Sequence, residues 1–267
     1  MKKITVLDIM KMKQEGRKIP VLTAYNFYMS RILDDAGIPM VLVGDSVGMV
    51  EAGYENTLPV TVDEIIYHTR AVARGRTNAL IVADMPFGSY QSTIIDARQN
   101  AARLIKEGGA EAVKVEGGRR SAKAIQAIVE MDVPVMGHIG LTPQSVHKMG
   151  GYKVQGKNKS AGETLLEDAH AVEKAGAFSI VLEGIPAALA KEITESLSIP
   201  TIGIGAGPFC DGQVLVVNDM LGLHQKDMRT PKYVKKYADL QNVISLAVGE
   251  FIRDVEEGKF PSKEHSY

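Results

Sequence analysis

Met40-Val-Leu-Val-Gly-Asp-Ser46 is an apolar run that stops abruptly on a carboxylate. Four consecutive apolar residues, with Val41 and Val43 β-branched, read as a strand buried on both faces of a parallel sheet. A carboxylate at the tip of such a strand is costly unless it is solvated, paired or bound to a cation. The same pattern recurs at Ala79-Leu-Ile-Val-Ala-Asp84, Ala112-Val-Lys-Val-Glu116 and Phe178-Ser-Ile-Val-Leu-Glu183. Four apolar strands that each end in an acid call for one common explanation.

Outward from these four, the pattern predicts further strands at Pro20–Ala24, Val133–His138, Pro200–Ile204 and Val214–Val217. Helical patterns separate them, over residues 26–36, 61–74, 93–107, 121–131, 162–175 and 186–197. Thr61-Val-Asp-Glu64 reads as a capping box, and Gly108-Gly109 as a helix stop. Eight apolar strands, most of them followed by a helix, are the count of a closed (β/α)8 TIM barrel, expected as a single domain over residues 1–267; a doubly wound open sheet is the alternative, but it has no natural use for eight strands. A short helix over residues 5–15 precedes the barrel, and a mostly helical tail over 231–257 follows it. Residues 144–161 break the rhythm. Their glycines and lysines read as a mobile excursion, with Lys153–Lys159 as a solvated basic face.

The chain has 267 residues, 45% hydrophobic and 24% charged, with a formal net charge of −1. That balance offers no basic surface for nucleic acid or an anionic membrane. One cysteine, Cys210, excludes an intrachain disulfide and fits a reducing compartment. Asp8, Lys11 and Lys13 break up any signal-peptide core, and no run approaches the ~18 apolar residues of a membrane span. The expectation is a cytoplasmic protein with no nucleic-acid or membrane partner.

In a (β/α)8 barrel the C-terminal ends of the strands form the active-site face. Residues two apart on a strand share a face. That groups Val41, Val43 and Asp45; Leu80, Val82 and Asp84; and Lys114 with Glu116. A single acid at a strand end is ordinarily a helix cap. Four of them, with a lysine inside a strand, point to a shared cavity. Carboxylates converging there repel unless a cation sits among them. Oxygen ligands without a Cys/His cluster favour a hard ion such as Mg²⁺ on Asp45, Asp84 and Glu116, directly or through water. Lys114 beside them suits a substrate carboxylate or a Schiff-base amine. Glu183 has no obvious metal role and suits a general base for a carbon acid. His138 reads either as a polarising group or as a satisfied core histidine. Gly203-Ile-Gly-Ala-Gly207 reads either as a phosphate cradle or as a tight turn at the rim.

Seven ordered blocks carry a family resemblance. They are VLTAYNFYMSRILDDAGIPMVLVGDSVGMV, GYENTLPVTVDEIIYHTRAV, ADMPFGSYQ, AVKVEGG, PVMGHIGLTPQS, LEGIP and IPTIGIGAGPFCDGQVLV. Together they resemble the ketopantoate hydroxymethyltransferase family, from about Val6 to Phe260. The resemblance implies a Mg²⁺-dependent barrel of the phosphoenolpyruvate/pyruvate-type class, with one metal ion per subunit. It also implies transfer of a one-carbon unit from 5,10-methylenetetrahydrofolate to 3-methyl-2-oxobutanoate. The products would be tetrahydrofolate and 2-dehydropantoate, for pantothenate and coenzyme A synthesis. By resemblance, GDS assigns metal binding to Asp45 and substrate binding to Asp45 and Ser46. ADMPF assigns metal and substrate contact to Asp84. VKVEGG assigns substrate binding to Lys114 and metal binding to Glu116. LEGIP makes Glu183 the proton acceptor. A homo-oligomer, commonly a decamer, is implied as well. Two rivals use the same barrel: a lyase or mutase, which would need a mobile loop carrying a Cys or Lys, and a non-catalytic ligand-binding scaffold.

Overall fold

The computed structural model describes residues 3–223 and 231–267. Contacts divide the chain into two compact units, Met1–Val216 and Val217–Tyr267. The first unit is built on eight parallel strands: β1 (Ile19–Thr23), β2 (Met40–Val43), β3 (Leu80–Asp84), β4 (Ala112–Glu116), β5 (Val135–Gly140), β6 (Ser179–Glu183), β7 (Thr201–Ile204) and β8 (Gly212–Leu215). Each strand pairs with the next and β8 pairs with β1, so the sheet closes. The closed barrel expected from the repeating pattern is the fold observed.

The helices start and stop where local chemistry directs. Thr61 Oγ1 accepts the Glu64 N–H at 3.2 Å and the Glu64 carboxylate accepts the Thr61 N–H at 2.7 Å, so the expected capping box opens the helix Val62–Gly75. Asn26 and Asn158 cap the helices Phe27–Asp35 and Lys159–Lys174 through their side chains. The helix Ile94–Arg103 widens into a π turn over Leu104–Gly108, and Gly109 ends it in the left-handed region.

Some boundaries move. β5 lies two residues later than the apolar pattern suggests, and β8 begins two residues earlier, at Gly212. A Cβ at Gly212 would lie 2.3 Å from the Ile19 carbonyl oxygen, so the strand meets β1 through a position that hydrophobicity cannot flag. In the second unit the tail helix begins at Leu240 rather than near Pro231 and runs to Glu256. No described helix is long and apolar enough to cross a membrane.

One apolar cluster fills the barrel: Ile19, Val21, Met40, Leu42, Leu80, Val82, Ala112, Met136, Val181, Ile202 and Val214. Ile9 and Met12 of the helix Val6–Gln14 join it, so this helix closes the end where the strands begin. Burying each such large side chain is worth roughly 1.5–3 kcal/mol. Above this layer, at the ends of β3 to β6, the inward positions turn polar: Asp84, Lys114, Glu116, His138 and Glu183.

β2 corrects one expectation. Met40 and Leu42, not Val41 and Val43, belong to the interior cluster. The strand ends at Val43, and Asp45 reaches the site from the following turn rather than by alternation. The next inward position is Gly44. A Cβ there would stand 2.8 Å from Ser46 Oγ and 3.4 Å from Asp84 Oδ2. The missing side chain leaves room for those two groups.

β3, which ends on Asp84, is anchored at its start by Asp34. That carboxylate accepts the N–H groups of Thr77 at 2.9 Å, Asn78 at 2.9 Å and Ala79 at 2.7 Å. Burial alone would raise its pKa, but these hydrogen bonds outweigh burial and hold the group below its ordinary value. Asp34→Ala strands three N–H donors and is expected to cost about 2–4 kcal/mol in urea denaturation at pH 7. The carboxyl is depressed in the folded state, so this advantage is present above its unfolded pKa and fades as pH falls through the folded value. A variant as stable as the parent at pH 7 would sink this assignment.

Candidate active site

Asp45, Ser46, Asp84, Lys114, Glu116 and Glu183 all lie at the C-terminal ends of β2, β3, β4 and β6, as the barrel rule anticipates. Their centre is an ammonium. Lys114 Nζ stands 3.1 Å from Asp84 Oδ1 and 3.7 Å from Glu116 Oε1, with all three side chains buried. The register aligns Lys114 with Asp84 across β3–β4 and Glu116 with His138 across β4–β5. Burial by itself would strip the lysine of its proton. The carboxylates of Asp84, Glu116 and Asp45 more than offset it and hold the pKa above its usual range.

The acids around it are held by donors. Asp84 Oδ2 accepts the Asp45 N–H at 2.8 Å. Gln144 spans the pocket: its Nε2 donates to Asp45 Oδ2 at 2.9 Å, and its backbone N–H donates to Glu116 Oε2 at 3.1 Å. The Tyr90 hydroxyl donates to Gln144 Oε1 at 2.7 Å and accepts the Glu116 N–H at 3.1 Å. Ser46 Oγ lies 2.8 Å from the hydroxyl of buried Tyr25. Burial, then repulsion from Asp84 and Glu116, pushes the Asp45 carboxyl well above the usual carboxylate range. Burial raises Glu116 too, against the pull of His138 and Lys114.

His138 is wired into this centre. Lys114 Nζ is 3.2 Å from its Nδ1, so the ammonium donates and the ring proton sits on Nε2. Nε2 stands 3.2 Å from Glu183 Oε2 without hydrogen-bond geometry. Burial and the Lys114 charge lower the imidazole to about 4, so it is neutral at physiological pH. Glu183 is nearly enclosed, and burial raises its carboxyl to about 8.

Tyr25, Tyr90 and Gln144 were given no role from the sequence, although they lie in the loops that leave β1, β3 and β5. The exit rule that found the acids would have found them too. The excursion after β5 contributes Tyr152. Its hydroxyl lies 3.8 Å from Met49 Sδ, and the charges of Asp45, Glu183 and Glu116 reach it. Gln155 N–H ties this segment to the Gly184 carbonyl at 2.8 Å. At the β7 exit the turn is closed by Gln213 Nε2 on the Gly207 carbonyl at 2.9 Å. Gly205 and Gly207 there have φ of 61° and 78°, which accounts for both glycines.

The carboxylates suit a hard cation. Asp84 Oδ1 is buried and has no hydrogen-bond partner beyond the Lys114 ammonium, 3.1 Å away. Among the described residues no group of three or more acid, His or Cys side chains is arranged to hold a metal ion. A cation here would therefore draw the remaining ligands from water or substrate. That is the habit of Mg²⁺, which keeps several waters and takes one or two carboxylates.

Comparison with known proteins adds a lineage. The family model described as ketopantoate hydroxymethyltransferase matches residues 3–263. A 3-methyl-2-oxobutanoate hydroxymethyltransferase of Geobacter metallireducens is 61% identical over 266 residues, covering 100% of this chain and 99% of the relative. The enzyme of that name from Geobacter sulfurreducens is 62% identical over 263 residues, covering 98% of each. Among solved structures, phosphonopyruvate hydrolase in complex with oxalate and Mg²⁺ aligns with a TM-score of 0.62 at 12% identity, covering 98% of this chain and 93% of that one. 2,3-Dimethylmalate lyase, a member of the PEP mutase/isocitrate lyase superfamily, aligns at 0.62 and 14% identity, covering 98% and 91%. At such identities the structural likeness concerns the barrel alone.

The internal cation makes a direct prediction. Lys114→Met leaves buried Asp84 and Glu116 without their ammonium and is expected to cost about 3–5 kcal/mol in metal-free protein at pH 7. The deficit should shrink near pH 5, because the Glu116 carboxyl, raised by burial, then takes up a proton and the repulsion falls. Urea denaturation at the two pH values reads this, and an unchanged midpoint at pH 7 refutes it.

Proposed function

The chain belongs to the ketopantoate hydroxymethyltransferase family, and on that premise we propose that it transfers a hydroxymethyl group from 5,10-methylenetetrahydrofolate to 3-methyl-2-oxobutanoate, forming 2-dehydropantoate for pantothenate and coenzyme A synthesis. The observation that carries this reading is a nearly enclosed carboxyl, Glu183, held near 8 and facing a lysine-centred cluster of acids. A keto acid with one ionisable C–H needs those two things: a cationic seat for its carboxylate and a base tuned near neutrality.

Lys114 is the seat, with Ser46 and Asp45 as further substrate contacts. Asp45, Asp84 and Glu116 would hold Mg²⁺, directly or through water. The chemistry a bound Mg²⁺ supplies is Lewis-acid polarisation of the 2-oxo group, which acidifies the neighbouring C–H. Glu183 takes that proton from the branched carbon. The neutral His138 ring backs Glu183 without offering a competing charge. The carbon so activated forms a bond to the donor's one-carbon unit, which is at the oxidation level of formaldehyde. Water supplies the hydroxyl oxygen, and tetrahydrofolate leaves. Depth in the barrel excludes bulk water while the carbon is activated. A homo-oligomer, commonly a decamer in such proteins, and a cytoplasmic setting complete the reading.

The test is deuterium exchange into 3-methyl-2-oxobutanoate, with and without Mg²⁺ and tetrahydrofolate. Exchange at the branched carbon that needs Mg²⁺ is the expected result; its absence in an active preparation would overturn the mechanism. Glu183→Gln should slow exchange by about 10²–10⁴-fold while leaving keto-acid binding within a few-fold by calorimetry. The parent rate should rise with pH as the Glu183 carboxyl ionises, and this limb should vanish in the variant. Asp84→Ala should abolish the Mg²⁺ dependence together with turnover, and a variant still stimulated by Mg²⁺ would remove Asp84 from the metal set.

A further inference from the structure

Asp84, Glu116 and Glu183 each end a strand, whereas Asp45 stands in the turn after β2. The ladder that fixes the first three therefore does not fix Asp45, and its carboxylate needs another support. That support is an amide: Gln144 Nε2 donates to Asp45 Oδ2 at 2.9 Å. Gln144 is buried, on a turn that the β5 exit holds firmly. Leu141 N–H donates to the Glu183 carbonyl at 2.8 Å, and Ser145 N–H closes the turn on the Thr142 carbonyl at 2.8 Å.

The way this amide faces is decided by its other contacts. Gly88 N–H donates to Gln91 Oε1 at 2.8 Å, so Gln91 presents Nε2 to its neighbour and donates to Gln144 Oε1 at 3.0 Å. The Tyr90 hydroxyl donates to the same oxygen at 2.7 Å. With two donors on Oε1, the NH2 group faces two acceptors on the other side: Asp45 Oδ2 and the Met85 carbonyl oxygen, at 3.0 Å. A reversed amide would set its oxygen against a carboxylate and a carbonyl, and its NH2 group against two donors. Only one orientation satisfies every partner, and a buried amide so satisfied has little freedom to turn. A relay thus runs from the loop after β3, through Gln91 and Gln144, to one oxygen of Asp45.

We propose that Gln144 is a positioning residue: its amide, aligned by Tyr90 and Gln91, holds Asp45 Oδ2 and so presents the other oxygen of that carboxylate to a divalent cation. The inference rests on the reading that Asp45 binds the metal. The relay acts on the orientation of one ligand, so its loss is felt as weaker metal binding. Chemistry on the fully loaded protein, where the cation itself holds Asp45 in place, is spared.

The experiment measures Mn²⁺ binding to the metal-free protein from the electron paramagnetic resonance signal of the free ion, with no keto acid or folate present. Gln144→Met keeps the side chain's length and the backbone N–H on Glu116 but loses the amide. It is expected to weaken Mn²⁺ binding about 10–100-fold. In the deuterium-exchange assay the Mg²⁺ concentration for half-maximal rate should rise by a similar factor, while the rate at saturating Mg²⁺ stays within about threefold of the parent. A variant that binds Mn²⁺ with parental affinity overturns the proposal, and so does one whose only defect is a slow rate at saturating Mg²⁺. Gln91→Ala tests the same relay from an exposed position and should weaken Mn²⁺ binding about two- to fivefold. Should Gln144→Met fail to fold, unchanged affinity in Gln91→Ala overturns the proposal by itself. Parental affinity in Asp45→Asn, or no binding by the parent, overturns the underlying metal assignment instead.

Discussion

The ammonium of Lys114 is the constraint on which the open end of this barrel depends. A lysine inside a strand, nearly enclosed, is tolerated only if its charge is answered nearby. Asp84 answers at 3.1 Å and Glu116 at 3.7 Å. Such a pair is weak evidence for stability, because desolvating both partners costs about as much as their attraction returns. Packed apolar side chains would fill the same layer at lower cost, as they do directly below. The cluster is better understood as stored electrostatics: a fixed positive charge with negative groups arrayed about it, ready for an anionic ligand and a metal.

Other features follow from keeping those charges assembled. Gly44 empties an inward position so that Asp84 and Ser46 can share the space. Gln144 donates to Asp45 in the turn after β2 and to Glu116 at the end of β4, and Tyr90 fixes the orientation of its amide. The helix Val6–Gln14 packs Ile9 and Met12 onto the core at the opposite end. Asp34 anchors the start of the strand that ends on Asp84. Most of the pocket's acids are held by hydrogen-bond donors, which helps a buried polar network specify one arrangement, while His138 Nε2 is left unbonded.

Much of this was legible in the sequence because barrel geometry repeats. Apolar runs ending in Asp45, Asp84, Glu116 and Glu183 announced the strands and the site together. Asp45 shows where the reasoning failed. Alternation paired it with Val41 and Val43, yet Met40 and Leu42 face the core and the acid arrives from a turn. Alternation holds only while the strand continues, and nothing local marks that it stops at Val43. β8 was misplaced because Gly212 has no side chain to carry a pattern, although close approach to Ile19 demands a glycine there. Gln144 was missed since an amide has no charge to be conspicuous in an apolar run. Its importance lies in joining groups that are distant along the chain.

The pocket also sorts its acids by their distance from the lysine. Asp84 and Glu116 touch the ammonium, whereas the His138 ring stands between it and Glu183. Burial, then the Lys114 ammonium at Nδ1, keeps the imidazole from gaining a second proton, so the ring stays neutral with its pKa near 4. A charged imidazolium in that position would pull the Glu183 carboxyl down and make it a feeble base. A neutral ring acts as a spacer, and burial is then free to carry Glu183 up to about 8. Two carboxyl environments within one cavity are thereby driven apart: one beside a cation and suited to metal or substrate, the other isolated and suited to moving a proton. In the proposed reaction it is burial of Glu183, beside a histidine kept neutral, that suits the glutamate to carrying the proton.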